Sequence, residues 1–402
     1  MIWLIIHIID ILAWLLLAAS TLYILFFALV STLWKKRVNE FTLFLTGKKF
    51  AMREKEYFTY LVLYPAYNED RVIVPSVRTF LGQYYPYDAF HVAVISDHMR
   101  PETNQLLSEL PITLLQPVFE KSSKAKAMQY AMDQIQESYD YVIIMDADNV
   151  VNSDFLKKLN DSCAQGYKAI QCHRCAKNKD NDIAVLDGVS EEINNTIFRK
   201  AHNRIGLSSA LIGSGMCFDF KLFKENVYKL TTAGEDREME ALLLKQKVYI
   251  HYEPDIHVFD EKVSNKDNFQ KQRLRWMTAQ IQSLFNLLPY IPQAIKTMNI
   301  DFIDKTIQQA LIPRSMLVVG AFGMSFIMTM FSLSFGLYWY IKWWCLFLTI
   351  CITLYVATPR QLRSHSVFGK ILSLPKLVWK MVMNILKIDR KNTDFIHTTH
   401  DK

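Results

Sequence analysis

A run of apolar residues that leads into two carboxylates constrains the fold of this chain more than any other feature. Tyr141 to Ile144 are aromatic or β-branched and uncharged, and Asp146 and Asp148 follow at once. Such a run predicts a strand that is buried on both faces, as in a parallel sheet. Because open α/β sheets bind ligands beyond the carboxyl ends of their strands, we expect both carboxylates at a binding edge.

Asp146 and Asp148 are two positions apart, which lets both side chains reach one hard cation near the end of a strand. Held there, Mg²⁺ or Mn²⁺ would bridge the two phosphates of a nucleotide diphosphate. The same Asp-x-Asp pattern also caps helices, so taken alone it is a weak indication of a metal site.

The composition favours a soluble domain that carries a few membrane spans. Hydrophobic residues make up 51% of the 402 residues and charged residues 21%. This is too apolar for an ordinary cytosolic enzyme and too charged for a pure membrane bundle. The net charge of +7 is modest, and the basic residues lie beside apolar spans rather than in a patch with interleaved aromatic residues. We therefore expect no nucleic-acid partner.

The first apolar segment, 11–34, predicts a retained transmembrane anchor. It is uncharged and long enough to cross a bilayer, and the basic residues Lys35 to Arg37 follow it directly. Because basic residues mark the cytoplasmic end of a span, we expect the chain to enter the cytoplasm there. The protein should then be a multi-pass protein of the cell membrane whose catalytic domain is cytoplasmic.

The segments 315–341 and 343–359 predict a transmembrane hairpin that turns near residues 336–342, with Lys342 reaching outward among aromatic side chains. Eight basic residues between Arg360 and Lys391 follow, which predicts a cytoplasmic tail with an amphipathic helix.

The expected parts of the chain are an anchor at 1–34, a cytoplasmic domain at 35–283, interfacial helices at 284–314, the hairpin at 315–359 and a basic tail at 360–402.

Between the anchors, strands alternate with helices. Apolar runs predict strands at 60–64, 91–95, 112–115 and 141–145, and helical spacing predicts helices at 70–81 and 123–137. This alternation predicts an α/β domain with a mostly parallel sheet and helices on both faces. Polar residues follow three of these strands, in Pro65 to Glu69, Ser96-Asp97 and Asp146 to Asp148. Three such loops at one edge predict a binding cleft.

Six motifs in this domain resemble those of membrane-bound family 2 glycosyltransferases, the group of the cellulose, chitin and hyaluronan synthases. In chain order they are Tyr64-Pro-Ala-Tyr-Asn-Glu-Asp70, Ile95-Ser-Asp97, Lys124-Ala-Lys-Ala-Met-Gln129, Asp146-Ala-Asp148, Gly234-Glu-Asp-Arg237 and Gln272-Arg-Leu-Arg-Trp276. The resemblance covers roughly residues 55 to 285. It implies a GT-A-like fold and transfer of a sugar from a nucleotide diphosphate sugar.

The resemblance also implies roles for individual residues. Those expected to bind the nucleotide sugar are Pro65, Asn68, Glu69, Asp97, Lys124 and Asp146, and those expected to hold the metal are Asp146 and Asp148. Asp236 is expected to be the catalytic base, with Glu235 orienting it, because an acceptor hydroxyl is a poor nucleophile until a carboxylate takes its proton. Gln272, Arg275 and Trp276 are expected to cover the donor diphosphate and the acceptor site.

The chain also departs from the usual motifs. Lys126 stands where relatives have glycine, Met128-Gln129 replaces Leu-Asn, and Asp97 is a single acid where many relatives have two. The motif Gly234-Glu-Asp-Arg237 is closer to the chitin-oligomer and hyaluronan branch than to the Thr-Glu-Asp of cellulose synthases. This favours an N-acetylhexosamine or glucose donor.

These observations predict an inverting, metal-dependent transferase that extends a β-linked glycan, with UDP as the first candidate nucleotide. One alternative is a transferase that adds a single sugar to a lipid-linked acceptor. Two spans after the domain are few for a polymer channel, unless a homo-oligomer or an export partner supplies the rest. A second alternative is a membrane-tethered nucleotide-sugar sensor without catalysis, against which the presence of Asp236 and Gln-x-x-Arg-Trp argues. Membrane lipids are expected partners in each case.

Overall fold

The computed structural model describes residues 2–34, 50–178, 181–232, 234–262, 266–331 and 337–363. The predicted basic cluster at Lys35 to Arg37 and the predicted amphipathic helix of the tail lie outside these residues. The strands of the described part form one sheet, and they are β1 Tyr60–Tyr67, β2 Phe90–Asp97, β3 Thr113–Leu115, β4 Tyr141–Ile144, β5 Val150–Val151, β6 Ala169–Ala176, β7 Met216–Asp219 and β8 Ile250–Asp260. Their order across the sheet is β3-β2-β1-β4-β7-β6-β8-β5.

The sheet is parallel at one edge and mixed beyond it. β1 pairs in parallel with β2 and β4, and β2 with β3, whereas β7 is antiparallel to both β4 and β6. β8 is parallel to β6 and antiparallel to β5. β7 begins next to the C-terminal end of β4 and runs in the opposite direction. At this end, the N–H of Gly215 donates to the carbonyl of Ile144 at 2.9 Å. The sheet is therefore mixed, and the expected parallel pairing is uninterrupted only at the edge with β1 to β4.

Helices surround the sheet and continue toward the C-terminus. In chain order they are α1 Ile2–Leu33, α2 Ile73–Leu81, α3 Pro101–Ser108, α4 Lys124–Gln134, α5 Phe155–Ala164, α6 Asp182–Asn194, α7 His202–Arg204, α8 Phe220–Val227, α9 Glu235–Lys245, α10 Lys266–Leu287, α11 Ile291–Lys296, α12 Ile300–Ala310, α13 Arg314–Met330 and α14 Leu337–Ala357. A π-helical turn, Asn195–Ala201, joins α6 to α7. Side-chain caps stabilise several helix starts; for example, Ser123 accepts from the N–H of Lys126 at α4, and Asn181 from that of Ala184 at α6.

The two faces of β1 pack against different helices, because successive side chains of a strand point to opposite faces of the sheet. Tyr60, Val62 and Tyr64 face a core that includes residues of α2 and α5, whereas Leu61 and Leu63 face a core with residues of α4, α8 and α9. All five side chains are fully buried. Full burial of a large apolar side chain contributes roughly 1.5–3 kcal/mol, so both layers hold the sheet in place.

Two described helices are long and apolar enough to cross a membrane. They are α1, with a mean hydropathy of 2.3 over Trp3–Leu33, and α14, with 1.6 over Tyr338–Ala357. α13 passes the same test only together with α12, which it meets at a bend of 50°. The described part therefore contains two candidate spans, or three if the bent pair counts as one, and the three-span arrangement stays a prediction.

Lys342 lies beside aromatic side chains, with its ammonium group 4.7 Å from the ring of Trp339, and its outward position stays a prediction. α14 already begins at Leu337, so Lys342 lies within this helix, and its ammonium group pairs with the carboxylate of Asp10 in α1. The indole N–H of Trp343 donates to the same carboxylate at 2.8 Å. An oppositely charged group on the neighbouring helix is available there, and a paired charge is better tolerated among apolar helices than an unpaired one.

The C-terminal part of α1 contacts the rest of the protein through two aromatic side chains. In the C-terminal part of α1, Phe27 stacks on His202 with ring centroids 3.7 Å apart, and Tyr23 donates to Asp304 of α12 at 2.7 Å. α12 turns polar groups toward the protein, whereas its Ile300 is exposed. An exposed apolar face of this kind is what an interfacial helix would present to lipid.

Candidate functional site

The ends of β1 and β2 form one rim of the site. The two strands end in register at Tyr67 and Asp97, and the next residues, Asn68 and His98, have φ angles of 54° and 55°. Non-glycine residues with positive φ are uncommon and cluster at binding sites. The N–H of Asn68 donates to the carbonyl of Asp97 at 3.2 Å, and the buried Asp97 carboxylate lies 2.5 Å from His98 Nδ1. The structure thus brings Asn68 and Asp97 together.

The other two residues predicted for this rim have different positions. Pro65 lies within β1, opposite Ile95 of β2, and is therefore behind the rim. Glu69 follows Asn68, and its N–H contacts Met99 Sδ at 3.1 Å. Of these two predicted residues, the structure places Glu69 nearer the rim.

Asp146 lies between two cations. Lys124, the first residue of α4, binds one oxygen of Asp146 with its ammonium group and donates to the carbonyl of Gly213 at 2.7 Å. Arg174 of β6 lies with Nη1 3.8 Å from the other oxygen of Asp146. Burial raises the pKa of Asp146, but the charges of Lys124 and Arg174 outweigh burial and hold this pKa below its usual value. Asp146 is therefore an anion within a positively charged setting.

Asp148 is buried directly beyond Asp146. One of its oxygens accepts from the N–H of Glu261 at 2.8 Å and the other from the side-chain amide of Asn149 at 3.1 Å. In the described ranges, no group of three or more His, Cys, Asp or Glu residues is arranged to hold a metal ion. The two carboxylates are hard oxygen donors suited to Mg²⁺ or Mn²⁺, whose further ligands would be diphosphate oxygens and water.

Glu235 and Asp236 open α9 on the opposite side of Lys124. Glu235 Oε1 lies 3.7 Å from the ammonium of Lys124, and Asp236 accepts from the N–H of Arg237 at 2.8 Å. Gly213 faces both carboxylates with a φ of 80°, and a β-carbon there would lie 3.8 Å from Asp236 and 3.9 Å from Glu235. Glycine thus permits this backbone and leaves space in front of the carboxylates.

The site holds a carboxyl group with a raised pKa, Glu235, beside the ammonium group of Lys124. Burial is the main cause that raises the pKa of Glu235 to about 7; Lys124 opposes this and Asp236 adds to it. Burial lowers the pKa of Lys124, but Asp146 and Glu235 raise it to a value above the usual one. Such a group of residues can take a proton from a hydroxyl and stabilise a departing anion.

The motif Gln-x-x-Arg-Trp lies on α10, which packs beside the start of α9: a β-carbon at Gly234 would lie 3.6 Å from that of Ala279. Gln272 Oε1 is buried without a hydrogen-bond partner. Arg275 and Trp276 follow Gln272 on the same helix. The ring of Trp276 lies 4.8 Å from the guanidinium group of Arg273. The structure therefore places the three predicted residues on a helix adjacent to Glu235 and Asp236.

Two residues of β6 belong to the site although sequence reasoning missed them. Arg174 contacts Asp146 as described, and Gln171 is fully buried and bonds to residues 212–215, here called the glycine loop. Its amide donates to the carbonyl of Ser214 at 2.9 Å and accepts from the N–H of Ile212 at 3.0 Å. The available signal was the presence of Gln171, His173 and Arg174 within an interior stretch, Ala169 to Cys175, because polar groups in a buried strand need partners.

Comparison with solved structures finds similar glycosyltransferases. The mannosyltransferase PcManGT from Pyrobaculum calidifontis, solved with GDP-Man and Mn²⁺, is 16% identical, with a TM-score of 0.53 and coverage of 87% of this chain and 97% of that chain. TarS 1–349 from S. aureus is 14% identical, with a TM-score of 0.43 and coverage of 82% and 92%. At this identity the first similarity shows the GT-A-like fold and nothing finer. No curated protein matches the chain.

The sequence itself matches a family model. The model described as "Glycosyl transferase family group 2" matches residues 141–358. This range begins at β4 and includes Asp146, Asp236 and the Gln-x-x-Arg-Trp motif, and it covers more than half of the 402 residues. The chain therefore belongs to glycosyl transferase family group 2 and is a glycosyltransferase.

Proposed function

We propose that the protein is a membrane-anchored, inverting and metal-dependent glycosyltransferase that takes its sugar from a nucleotide diphosphate sugar, with a UDP-sugar as the first candidate. The observation that carries the proposal is the convergence of Asp236, Glu235 and Lys124 around Gly213, beside Asp146. A base, a second carboxyl group and a cation at the strand ends are the groups that this reaction needs. The acceptor is a growing β-linked glycan or a lipid-linked molecule.

In the proposed reaction, Asp236 accepts the proton of the acceptor hydroxyl while the hydroxyl oxygen attacks the anomeric carbon of the donor. The bond between that carbon and the diphosphate breaks, and its electron pair leaves with the diphosphate. Attack on the face opposite the leaving group inverts the configuration at the anomeric carbon. Because the pKa of Glu235 is about 7, this neighbour can donate a hydrogen bond to Asp236 and orient it instead of repelling it.

The charge that develops on the diphosphate needs compensation at the strand ends. Lys124 and Arg174 flank Asp146 and would stabilise this charge directly. Asp146 and Asp148 would hold Mg²⁺ or Mn²⁺, which supplies Lewis-acid stabilisation of the leaving diphosphate when bound. PcManGT was solved with GDP-Man and Mn²⁺, and this precedent supports testing GDP-sugars beside UDP-sugars in the presence of Mn²⁺.

The remaining predicted residues would enclose the donor. Those proposed for the nucleoside are Pro65, Asn68, Glu69 and Asp97, and those proposed to cover the diphosphate and the acceptor are Gln272, Arg275 and Trp276. The buried, unpartnered Oε1 of Gln272 supports this role, because a buried acceptor without a partner can be satisfied by a ligand hydroxyl. The flat face of an indole suits a sugar ring.

The proposed reaction takes place at the cell membrane with the catalytic domain in the cytoplasm. The apolar helices α1 and α14 support membrane association, and the cytoplasm is where the basic ends of the spans should lie. Lipids then surround these helices, and a homo-oligomer or an export partner would complete a path for a long product.

A donor screen tests the proposal. The full chain in detergent is incubated with Mn²⁺ and labelled UDP-glucose, UDP-N-acetylglucosamine or GDP-mannose, and both nucleoside diphosphate release and product size are measured. We expect one donor to be consumed with transfer of its sugar, and we expect a chelator to suppress this turnover. Binding of a donor without turnover in every mixture would support the sensor alternative, and absence of donor binding would contradict the proposal.

A further inference from the structure

Asp97, at the end of β2, has one carboxylate oxygen engaged by its neighbour in the chain. Nδ1 of His98 lies 2.5 Å from Oδ1 of Asp97. Because a carboxylate accepts hydrogen bonds and does not donate them, the ring nitrogen of His98 is the donor of this bond. No other side chain among the described residues bonds to this carboxylate. Oδ2 of Asp97 is therefore the oxygen that a ligand can bind.

His98 is held beside this carboxylate by an uncommon backbone conformation. Its φ is 55°, and a non-glycine residue persists at such an angle where its surroundings require it. The side chain of His98 is 53% exposed, whereas that of Asp97 is 4% exposed. A ligand that reaches the buried carboxylate from solvent therefore meets the ring of His98 as well.

A second aromatic side chain lies next to His98. Tyr67 is the last residue of β1 and the register partner of Asp97. Its ring centroid is 5.4 Å from that of His98, and the two rings are inclined at 57°. Aromatic faces beside one hydrogen-bonding carboxylate suit a planar heterocycle. This rim thus has the groups to bind a nucleobase and, in His98, a donor that can distinguish between bases.

Uracil and guanine differ in the edge that they present to a carboxylate. Uracil presents one N–H between two carbonyl oxygens, whereas guanine presents a ring N–H next to an exocyclic amine. Guanine therefore needs both carboxylate oxygens, but uracil needs only one. With Oδ1 of Asp97 bonded to His98, the amine of guanine would face the ring N–H of His98, another donor. A carbonyl oxygen of uracil at the same place could instead accept from that N–H.

We propose that His98 is a specificity-determining residue that makes the site select uracil over guanine, because it occupies Oδ1 of Asp97. This inference rests on the proposed function, since it names the nucleobase of the donor that binds in the same site. A buried donor left without a partner lowers affinity roughly 10- to 100-fold. UDP should therefore bind at least about tenfold more tightly than GDP.

Calorimetry on the full chain in detergent with Mn²⁺ tests this selection, with UDP and GDP as the two probes. The measured quantity is the ratio of their affinities, which a general loss of stability does not change. His98→Gly removes the ring and adopts the same φ without strain. Because this variant frees Oδ1 of Asp97 for the amine of guanine, its preference for UDP should fall roughly tenfold or more.

His98→Asn tests the donor itself. Asparagine tolerates positive φ better than most residues, and its side-chain amide can donate to Asp97. This variant should keep most of the preference for UDP. The matched control is Lys247→Gly, which removes another side chain at a positive φ, here 58°, just beyond α9. The ratio of affinities in this control should equal that of the wild type.

Three results would overturn the proposal. They are a wild type that binds GDP as tightly as UDP, a His98→Gly variant with the ratio of the wild type, and a His98→Asn variant with the ratio of His98→Gly. Each of these results leaves the proposed transferase activity standing if a sugar is transferred from either nucleotide. If UDP is selected through His98 but no sugar is transferred, the proposed activity fails, whereas the recognition of uracil stands. If neither nucleotide binds, both fail.

Discussion

At the scale of single residues, the adjacent acids Glu235 and Asp236 have different surroundings. Glu235 is close to the ammonium of Lys124 and has a pKa raised to about 7, mainly by burial. Asp236 accepts from the backbone N–H of Arg237 at the first turn of α9, where the helix dipole favours negative charge. The two acids therefore differ in their partners: a side-chain cation for Glu235 and a backbone N–H for Asp236.

Asp236→Asn should therefore lower the rate of sugar transfer roughly 100-fold or more, because removing a positioned general base costs about 10²–10⁴ in rate. Donor affinity should be unchanged, since the substitution keeps the shape of the side chain. Turnover is measured with the preferred donor, and donor affinity by calorimetry. Asp161→Asn, at an exposed position of α5, is the matched control. A variant of Asp236 with wild-type turnover would exclude this residue as the base.

The proton on Glu235 predicts a pH dependence of stability. Because burial raises its pKa from 4.5 to about 7, folding favours the protonated form. This contribution to stability is complete below about pH 4.5 and is lost as the pH rises through about 7. Glu235→Gln cannot ionise, so its melting temperature relative to the wild type should increase between about pH 5 and pH 8. A difference in melting temperature between Glu235→Gln and the wild type that stays constant across this range would refute the raised pKa.

The positions of several candidate site residues could be predicted from the sequence because their spacing within short motifs is local information, whereas their roles stay predictions. Asn68, Asp97 and Asp146 follow predicted strands, and the structure places them at strand ends. Arg174 and Gln171 could not be named in this way. Their roles depend on contacts with residues distant in the chain, Asp146 and the glycine loop, and only the pairing of β6 with β7 brings these together.

At the scale of elements, α6 connects parts of the protein that are far apart in sequence. Its Glu191 binds Arg174 of β6 and Lys262 beyond β8, and its Asp187 binds Arg273 of α10. The charges of Arg174 and Lys262 overcome the effect of burial and hold the pKa of Glu191 well below its usual range. Helix α6 thereby connects β6 and the residues after β8 to α10, the helix with the Gln-x-x-Arg-Trp motif.

Glu191→Gln should destabilise the protein strongly. The substitution leaves the buried cations Arg174 and Lys262 to share one fewer carboxylate, and breaking a buried ion pair costs roughly 3–5 kcal/mol. The matched control is Glu192→Gln on the same helix, because Glu192 is less buried and pairs with His173 at 2.9 Å. Thermal unfolding of both variants measures the difference, and a loss no larger for Glu191→Gln than for Glu192→Gln would contradict this role of α6.

The elements around β1 to β4 could be predicted because periodicity and burial agree there. Each predicted strand and helix of this region is present, with ends shifted by a few residues. The antiparallel entry of β7 could not be predicted, because it depends on the turn at Gly213 to Gly215 rather than on a crossover helix. The ion pair of Lys342 in α14 with Asp10 in α1 could not be predicted either, because the partner of a lysine in an apolar stretch is far away in the sequence.

At the scale of the whole molecule, the apolar helices and the sheet domain meet through specific contacts. α1 packs on α14 through the pair of Asp10 and Lys342, and on the domain through Phe27 and His202. The same end of the helix group contains Arg314, which bonds to α6. The described contacts thus connect the apolar helices to the sheet domain, and the orientation of these helices relative to a membrane is a property that can be tested.

The last prediction concerns this orientation. With α1, α13 and α14 as three spans, Arg360 should be cytoplasmic and Tyr338, at the start of α14 and 74% exposed, should be on the outer side, because basic residues mark the inner ends of spans. Tyr338→Cys and Arg360→Cys are made in a chain whose six native cysteines are replaced by alanine. An impermeant thiol reagent on intact cells should label Tyr338→Cys alone, and lysis should expose both. If Arg360→Cys is labelled from outside, α13 and α14 do not form a hairpin of two spans, and the cytoplasmic placement of the tail is wrong.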